Sequence, residues 1–243
     1  MSSRFFTFDE RPELRERSSF LREAWPAFML ESPISSERWH LLYERFGGFQ
    51  FWLVDEATDA ILAEGNSLPA QLDPADLPGR GWEHVMEHAT SGKEEPTVVS
   101  AIQVLIDHTL HGRGLSRLML GEMRRIAATA GFADLVAPVR PSLKSRYPLT
   151  PMERYVAWTT NDGLPFDPWL RVHVRAGARI IRICHESMLI PGTVGDWQDW
   201  TGMRFPETGT YIVQGALEPI RIDIESDLGT YIEPNVWVHH VIG

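Results

Sequence analysis

The first 70 residues switch between strand-like and helix-like spacing of apolar side chains. Strand-like alternation predicts one strand and a hairpin, which occupy residues 4–8, 49–54 and 60–68. Between them, helical spacing predicts a first helix from Pro12 to near Pro26. A second helix is predicted from Ser35, because serine is a typical N-cap. The predicted order is therefore strand, helix, helix, hairpin.

The centre of the chain predicts a strand, a helix and a second strand. Residues 97–106 form a β-type run, and residues 115–130 follow it with helical periodicity. The buried stripe of that helix consists of Leu115, Leu118, Met119, Met123, Ile126, Ala127 and Ala130. A helical crossover would place the next strand, at 133–137, parallel to the first. Pro138 lacks the N–H that continues a ladder, so we expect the parallel strands to separate near it.

Composition favours a globular protein without structural disulfides. The chain has 243 residues, of which 43% are hydrophobic and 23% charged, so it can bury a substantial core. A net charge of −10 argues against general binding to nucleic acid or to an anionic membrane. The single cysteine, Cys184, is expected to be a buried strand residue. No apolar run suits a signal peptide or a membrane span, so we expect a cytoplasmic location.

The central strand and helix are joined by the sequence His111-Gly112-Arg113-Gly114-Leu115-Ser116. A strand, a glycine turn and a helix in succession direct free backbone N–H groups towards a phosphate, and the helix N-terminus adds partial positive charge. Arg113 and Arg117 would strengthen that field. The alternative is a tight connection without a ligand.

The run from Ile106 to Ser116 resembles the acyl-CoA-binding signature of the GNAT N-acetyltransferase superfamily. That signature is a strand, then (Gln/Arg)-x-x-Gly-x-(Gly/Ala), then an amphipathic helix, and this chain departs from it at Thr109. The resemblance implies that Val104 and Ile106 offer main-chain groups to the pantetheine arm. It also implies that the pyrophosphate is held by the amides of His111, Gly112, Arg113, Gly114, Leu115 and Ser116.

Residues 167–178 have the shape of the fourth helix of that family. Asp167 is a typical N-cap and Pro168 suits the first helical position. His173 stands where many family members have a tyrosine that protonates the leaving CoA thiolate, and imidazole titrates near neutrality. The alternative is a partly buried helix residue with a structural hydrogen bond.

The general base is predicted among Glu64, Asp107 and an ordered water, and Glu64 has the alternative of a solvated hairpin residue. His84 and His88 have the i, i+4 spacing of metal ligands on a helix. Without a His-Glu-x-x-His motif or a cysteine cluster, a mixed-charge helix face is the preferred interpretation. No metal is assigned.

We predict a single α/β domain over residues 1–243. The resemblance implies a mixed, mostly antiparallel sheet of GNAT type, with splayed central parallel strands flanked by helices. A long insertion at 139–166 precedes the fourth helix and is interpreted as a lid over an anionic or aromatic ligand, or as a dimer-contact arm. Its basic and aromatic residues are Arg140, Lys144, Arg146, Tyr147, Arg154, Tyr155 and Trp158.

A C-terminal β extension at 191–243 is expected to lengthen the sheet and shape the acceptor pocket. It is predicted to hold a loop around Trp197 and Trp200, followed by short strands at 211–213, 220–224 and 236–238.

The resemblance implies direct transfer of an acetyl or other acyl group from acyl-CoA to an amine of a small-molecule acceptor. Acetyl-CoA is the expected co-substrate. Two alternatives keep the fold, namely a lyase that decarboxylates malonyl thioesters and a non-catalytic acyl-CoA sensor. Neither nucleic acid nor a membrane is expected as a partner, and a homodimer is compatible with the sequence.

Overall fold

The computed structural model describes residues 2–242, and nine strands of this part of the chain form one sheet. The strands are β1 (Ser3–Thr7), β2 (Gln50–Asp55), β3 (Ile61–Ala70), β4 (Val98–Ile106), β5 (Asp134–Val139), β6 (Arg179–Gly192), β7 (Gly209–Tyr211), β8 (Ile220–Asp223) and β9 (Leu228–Val241). The α-helices are α1 (Leu14–Arg17), α2 (Pro33–Arg45), α3 (Trp82–Ser91), α4 (Leu115–Thr129), α5 (Met152–Val156), α6 (Pro168–Arg175) and α7 (Val194–Thr201).

The strands lie in the order β1-β2-β3-β4-β5-β9-β8-β7, and β6 pairs with the other edge of β9. Over residues 2–242, β4 and β5 are the parallel neighbours and every other pairing is antiparallel. Their parallel ladder has two residue pairs, Val99 with Leu135 and Ser100 with Val136. The sheet thus has the mixed, mostly antiparallel form that the sequence predicted.

The two parallel strands diverge directly after that short ladder. β4 continues to Ile106 without β5, while β5 stays paired with β9 to its end. Pro138 does not interrupt β5, because it lies within the β9 ladder opposite Trp237. The predicted separation is confirmed, and it begins two residues before the proline.

Each face of the sheet carries its own hydrophobic core. Helices α2 and α3 pack against one face, where Leu42 and Met86 are buried. Helices α4 and α6 pack against the other face, where Met123 and Leu170 are buried. A gap between β4 and β5 therefore opens towards both cores.

Two N-terminal predictions need correction. Helix α2 begins at Pro33, not at Ser35, and the Ser32 side chain is the cap that accepts the N–H of Ser35 at 3.3 Å. Proline suits the first helical position, because its missing N–H has no partner there in any case. The helix predicted from Pro12 is reduced to the single turn of α1, and 3₁₀ turns follow it.

The C-terminal extension does lengthen the sheet, but its elements differ from the prediction. β6 and β9 are 14 residues long each, so β9 far exceeds the predicted 236–238. The predicted loop around Trp197 is helix α7. Thr193 and Asp196 cap it reciprocally, since each side chain accepts the backbone N–H of the other.

The insertion at 139–166 packs against the hydrophobic core on the α4 and α6 face of the sheet, where Met152 and Tyr155 are buried. Its aromatic rings contact one another at centroid distances between 5.0 and 6.2 Å, and they are Tyr147, Tyr155, Trp158 and Phe166. Lys144 is fully buried and donates to the carbonyl oxygens of Leu217 and Tyr147. Lys144 and the buried Tyr155 are therefore structural, and the interpretation that they grip a ligand is wrong.

Two buried histidines tie α6 to β9. Nδ1 of His173 lies 2.9 Å from Nε2 of His240, and both residues are 1% exposed. Burial lowers the pKa of both imidazoles below the ordinary value, and the proximity of His240 lowers that of His173 further. Both rings are therefore neutral at pH 7.

We expect this pair to make the fold sensitive to mild acid. As the pH falls, these two imidazoles bind protons in the unfolded chain before they do in the folded chain. The free energy of unfolding should therefore fall by roughly 1.4 kcal/mol per imidazole for each pH unit below about 6.5. Urea denaturation at about pH 7, 6 and 5 measures this loss. The double variant His173→Gln, His240→Gln should lose less stability over that range, whereas His185→Gln, at an exposed site on β6, should behave as the parent chain. An equal loss in the double variant would show that the pair is not responsible.

Candidate active site

A cavity of about 1440 Å³ occupies the gap between β4 and β5. Residues 101–106 and 137–139 line its walls, so it begins where the parallel ladder ends. One end is lined by the glycine turn and by side chains of α4 and α6. The other end is lined by α2, β3, the residues after β5, and β9. The cavity therefore connects two chemically different ends through the sheet.

The glycine turn presents unbonded backbone donors at the first end. Gly112 and Gly114 have φ angles of +79° and +80°, a conformation that side chains disfavour, and a Cβ at either would meet no atom within 4 Å. Within residues 2–242, no protein group accepts the N–H of Gly112, Gly114, Leu115 or Ser116. Open space and free donors at a helix N-terminus suit a pyrophosphate.

Most residues of the predicted cofactor site lie together on this wall. Val104, Ile106 and His111 line the cavity beside the turn. Arg113 does not line it, because its side chain is exposed and its N–H donates to the Leu110 carbonyl at 3.4 Å. The N–H of His111 is likewise bonded, to the His108 carbonyl at 3.4 Å. Within the part of the chain that the structure describes, the amides predicted to hold the pyrophosphate are therefore free at Gly112, Gly114, Leu115 and Ser116 and bonded within the protein at His111 and Arg113.

A bulge in β4 shapes the middle of the cavity. Asn66 pairs with Gln103 and Ser67 with Ala101, so Ile102 is an extra residue in the β4 ladder. The bulge changes which face each following side chain occupies. As a result Gln103 projects with Asn66 towards the α2 side, while Val104 packs on the α4 side.

Glu64 of β3 is buried at the second end of the cavity. Its Oε1 accepts the Tyr43 hydroxyl at 3.0 Å, and within the described residues Oε2 has no hydrogen bond and no cation lies within ion-pair distance. Asn66 Nδ2 donates to the Tyr43 hydroxyl at 3.3 Å, and Asn66 Oδ1 accepts Gln103 Nε2 at 3.0 Å. Trp25 Nε1 completes the chain by donating to Gln103 Oε1 at 3.0 Å. The alternative of a solvated hairpin residue is wrong for Glu64.

Burial and the charge of Glu64 raise the pKa of Tyr43, so the phenol stays protonated and donates to the carboxylate. This bond fixes the orientation of Glu64 and leaves its second oxygen for a ligand. A rigid carboxylate with one free oxygen can accept a proton from a bound amine.

The structure disfavours the two other titratable candidates. Asp107 accepts the N–H and hydroxyl of Thr109, which lower its pKa, and it does not line the cavity. His173 does line the cavity, but it is the neutral imidazole paired with His240. Because a neutral imidazole is a very weak acid, this environment does not suit protonation of a thiolate.

Cys184 lies outside the cavity lining and is fully buried, as the sequence predicted. Burial raises the pKa of its thiol to about 12, so it stays protonated.

The sequence did not identify an ion pair that lines the second end of the cavity. Nε of Arg140, directly after β5, donates to both carboxylate oxygens of Glu233 at 3.1 and 2.9 Å. Burial opposes the charge of Arg140, but Glu233 outweighs this effect and the pKa of Arg140 is raised. Glu233 and Asn235 both belong to β9, so the C-terminal extension does shape this end of the cavity, as predicted. In the sequence, the only sign of this strand was the apolar run at 236–238, which follows Glu233 and Asn235.

In residues 2–242 no cluster of three or more metal-ligating side chains occurs, and the rings of His84 and His88 stack at 4.1 Å. No helix in the same range has the length and apolar character needed to cross a membrane.

Comparisons with known proteins agree with this geometry. The arginine N-acetyltransferase avaD of Aspergillus versicolor is 32% identical over 247 residues, which cover 90% of this chain and 85% of that protein. No protein-family model matches the chain.

Solved structures show the same fold. The loading GNATL domain of CurA from Lyngbya majuscula has a TM-score of 0.61 at 19% identity, with 100% of this chain and 98% of that one covered. The GphF GNAT-like decarboxylase in complex with isobutyryl-CoA has a TM-score of 0.60 at 18% identity, with both chains fully covered. Together with the cavity, the glycine turn and the divergent strands, these findings show that the chain belongs to the GNAT superfamily of N-acetyltransferases.

Proposed function

We propose that the chain transfers the acetyl group of acetyl-CoA to an amine nitrogen of arginine or of a small molecule built on arginine, with Glu64 as general base. Acyl transfer from acetyl-CoA to an amine is the activity of this N-acetyltransferase. The name of the A. versicolor relative supports the acceptor class. The observation that carries the proposal is the free carboxylate oxygen of Glu64 beside the β4 bulge.

Acetyl-CoA is proposed to bind along the divergent part of β4. The free amides of Gly112, Gly114, Leu115 and Ser116 would hold the pyrophosphate at the N-terminus of α4. The edge of β4 over 101–106, which has no strand partner on the β5 side, would offer main-chain groups to the pantetheine arm and to the thioester carbonyl. Fixed backbone donors stabilise the oxyanion that develops when an amine attacks.

The proposed reaction needs an unprotonated amine. Glu64 takes one proton from the acceptor ammonium nitrogen, the nitrogen lone pair forms the new bond to the acetyl carbon, and the bond from carbon to sulfur breaks. The nitrogen then gives its second surplus proton to the departing CoA thiolate, which leaves as the thiol. Holding both substrates in one cavity supplies the orientation that this step requires. The catalytic role predicted for His173 is replaced by a positioning role, in which it supports Trp169 at the cavity wall at a centroid distance of 4.4 Å.

The second end of the cavity suits a cationic acceptor. A buried carboxylate without a cation is costly, and a bound ammonium or guanidinium group relieves that cost. Aromatic side chains that attract cations line the same end, namely Trp39 and Trp82, whereas the rings of Tyr43 and Trp25 already face Arg15 and Arg140. The homodimer and the cytoplasmic location stay predictions.

We expect Gly114→Val to weaken acetyl-CoA binding, because valine at φ +80° would distort the turn and fill the space beside the free amides. Thermal unfolding with and without acetyl-CoA measures the effect. Parent protein at about 100 times the Kd should gain about 2.7 kcal/mol of stability, and the variant should gain far less. Gly121→Ala, on the exposed side of the same helix with an open Cβ position, is the control that should keep the full gain. Equal stabilisation of both variants would place the pyrophosphate elsewhere.

We expect Glu64→Gln to lower kcat by about 10²- to 10⁴-fold while acetyl-CoA binding is kept, because the amide cannot accept the proton. Initial rates with acetyl-CoA and arginine or arginine amide, together with the thermal assay, measure both quantities. Tyr43→Phe keeps the carboxylate and should cost less than Glu64→Gln. An unchanged kcat in Glu64→Gln would refute the role of Glu64 as base. Release of CO₂ from malonyl-CoA without an acceptor would instead favour the lyase, and CoA binding without turnover of any acceptor would favour the sensor.

A further inference from the structure

Arg140 is a rigidly held donor at the open end of the gap between β4 and β5. Its Nε is bonded to both oxygens of Glu233, and its Nη2 donates to the Gly215 carbonyl at 2.6 Å. Its Cζ lies 5.6 Å from the centroid of the Trp25 ring. In the described part of the chain, the third nitrogen, Nη1, makes no hydrogen bond, and Arg140 lines the cavity. One N–H group of a fixed guanidinium is therefore left for a ligand.

The charge balance at this position favours a neutral ligand atom. The side chains of Arg140 and Glu233 are 19% and 1% exposed, so the ion pair is removed from water and its charges cancel. The hydroxyl of Tyr231 and Nδ2 of Asn235 also donate to Glu233, at 3.0 and 3.2 Å. A ligand carboxylate would bring an unbalanced negative charge beside a buried carboxylate. A carbonyl oxygen accepts a hydrogen bond from Nη1 without that cost.

Trp25 connects this donor to the general base. Its indole N–H is bonded to Gln103 on the β4 side of the gap, and its ring faces Arg140 on the β5 side. Gln103 continues through Asn66 and Tyr43 to Glu64. Glu64 and Arg140 are thus held by one framework on opposite sides of the gap. An acceptor whose amine lies at Glu64 and that spans the gap would meet Arg140 with its other polar group.

We propose that Nη1 of Arg140 is the subsite for a carbonyl oxygen of the acceptor, so that the enzyme prefers an amide or ester derivative of an arginine-like amine. This inference rests on the proposed function and adds the chemical class of the second polar group. Agmatine, which has no carbonyl, and free arginine, which has a carboxylate in its place, should both be poorer acceptors.

The test compares L-arginine amide, L-arginine and agmatine as acceptors with saturating acetyl-CoA. In the parent enzyme, kcat/KM for the amide should exceed that for each of the others by at least about tenfold. Agmatine loses the hydrogen bond to the charged donor, and the carboxylate of free arginine brings a second negative charge beside Glu233. Arg140→Lys keeps a cation beside Glu233 but loses the planar fork of donors, so the preference should fall below about threefold. Arg80→Lys is the matched control, since Arg80 pairs with Glu83 and Glu87 and does not line the cavity.

A second variant distinguishes the loss of the subsite from a folding defect. Arg140→Gln combined with Glu233→Gln removes both buried charges together, and stabilisation by acetyl-CoA reports whether the cavity is intact. Equal use of agmatine and arginine amide by the parent enzyme overturns the inference even if no variant folds. A preference that survives in both variants overturns it as well. If none of the three acceptors is acetylated while acetyl-CoA still stabilises the protein, the proposed function fails and the carbonyl subsite fails with it.

Discussion

The short parallel ladder between β4 and β5 is the constraint on which the site depends. Two residue pairs hold the strands together, and antiparallel pairing with β3 and β9 then carries them apart. A parallel strand that loses its neighbour leaves backbone donors and acceptors without partners, and such groups are costly unless a ligand or water satisfies them. The unpaired backbone groups that line the gap are therefore better satisfied by a bound ligand or by water than by apolar side chains.

The two faces of the sheet give the two ends of that gap different chemistry. On the α4 side the donors are backbone amides of a glycine turn, which suit a phosphate and require no particular side chain. On the α2 side the polar groups are buried side chains joined from Trp25 to Glu64, each held by a hydrogen bond at a defined position. The chemistry of the α4 side thus depends on backbone conformation, whereas that of the α2 side depends on which side chains are present.

The buried carboxylates Glu64 and Glu233 show how the same group acquires different roles. Glu233 accepts Nε of Arg140 on both of its oxygens and has two further donors, so its charge is satisfied within the protein. Glu64 has the Tyr43 hydroxyl alone within the described residues, and its second oxygen remains for a ligand. The two carboxylates differ in their hydrogen-bond partners and not in their burial, and this difference underlies the role proposed for Glu64.

The sequence by itself determined the features that rest on local backbone chemistry. Periodicity and caps placed α4, α6 and the hairpin within a few residues, and Gly112 and Gly114 marked the turn because few other residues adopt its φ angles. The same local signals did not predict α7. The Thr193 and Asp196 capping box precedes Trp197 and Trp200, and the tryptophans were interpreted as a loop. They also did not predict the full length of β9. Its 14 residues include polar side chains that interrupt the apolar pattern, although the strand pairs with β5 on one edge and with β6 on the other.

Only the tertiary structure decided which side chains act together. Arg140 and Glu233 are 93 residues apart, and no local pattern relates them, because strand order across β5 and β9 brings them into contact. His173 looked suited to acid catalysis from its place in a helix, yet packing against β9 removes it from water and keeps it neutral. Burial and partners set the charge state of a side chain, and both are properties of the folded chain rather than of its sequence neighbours.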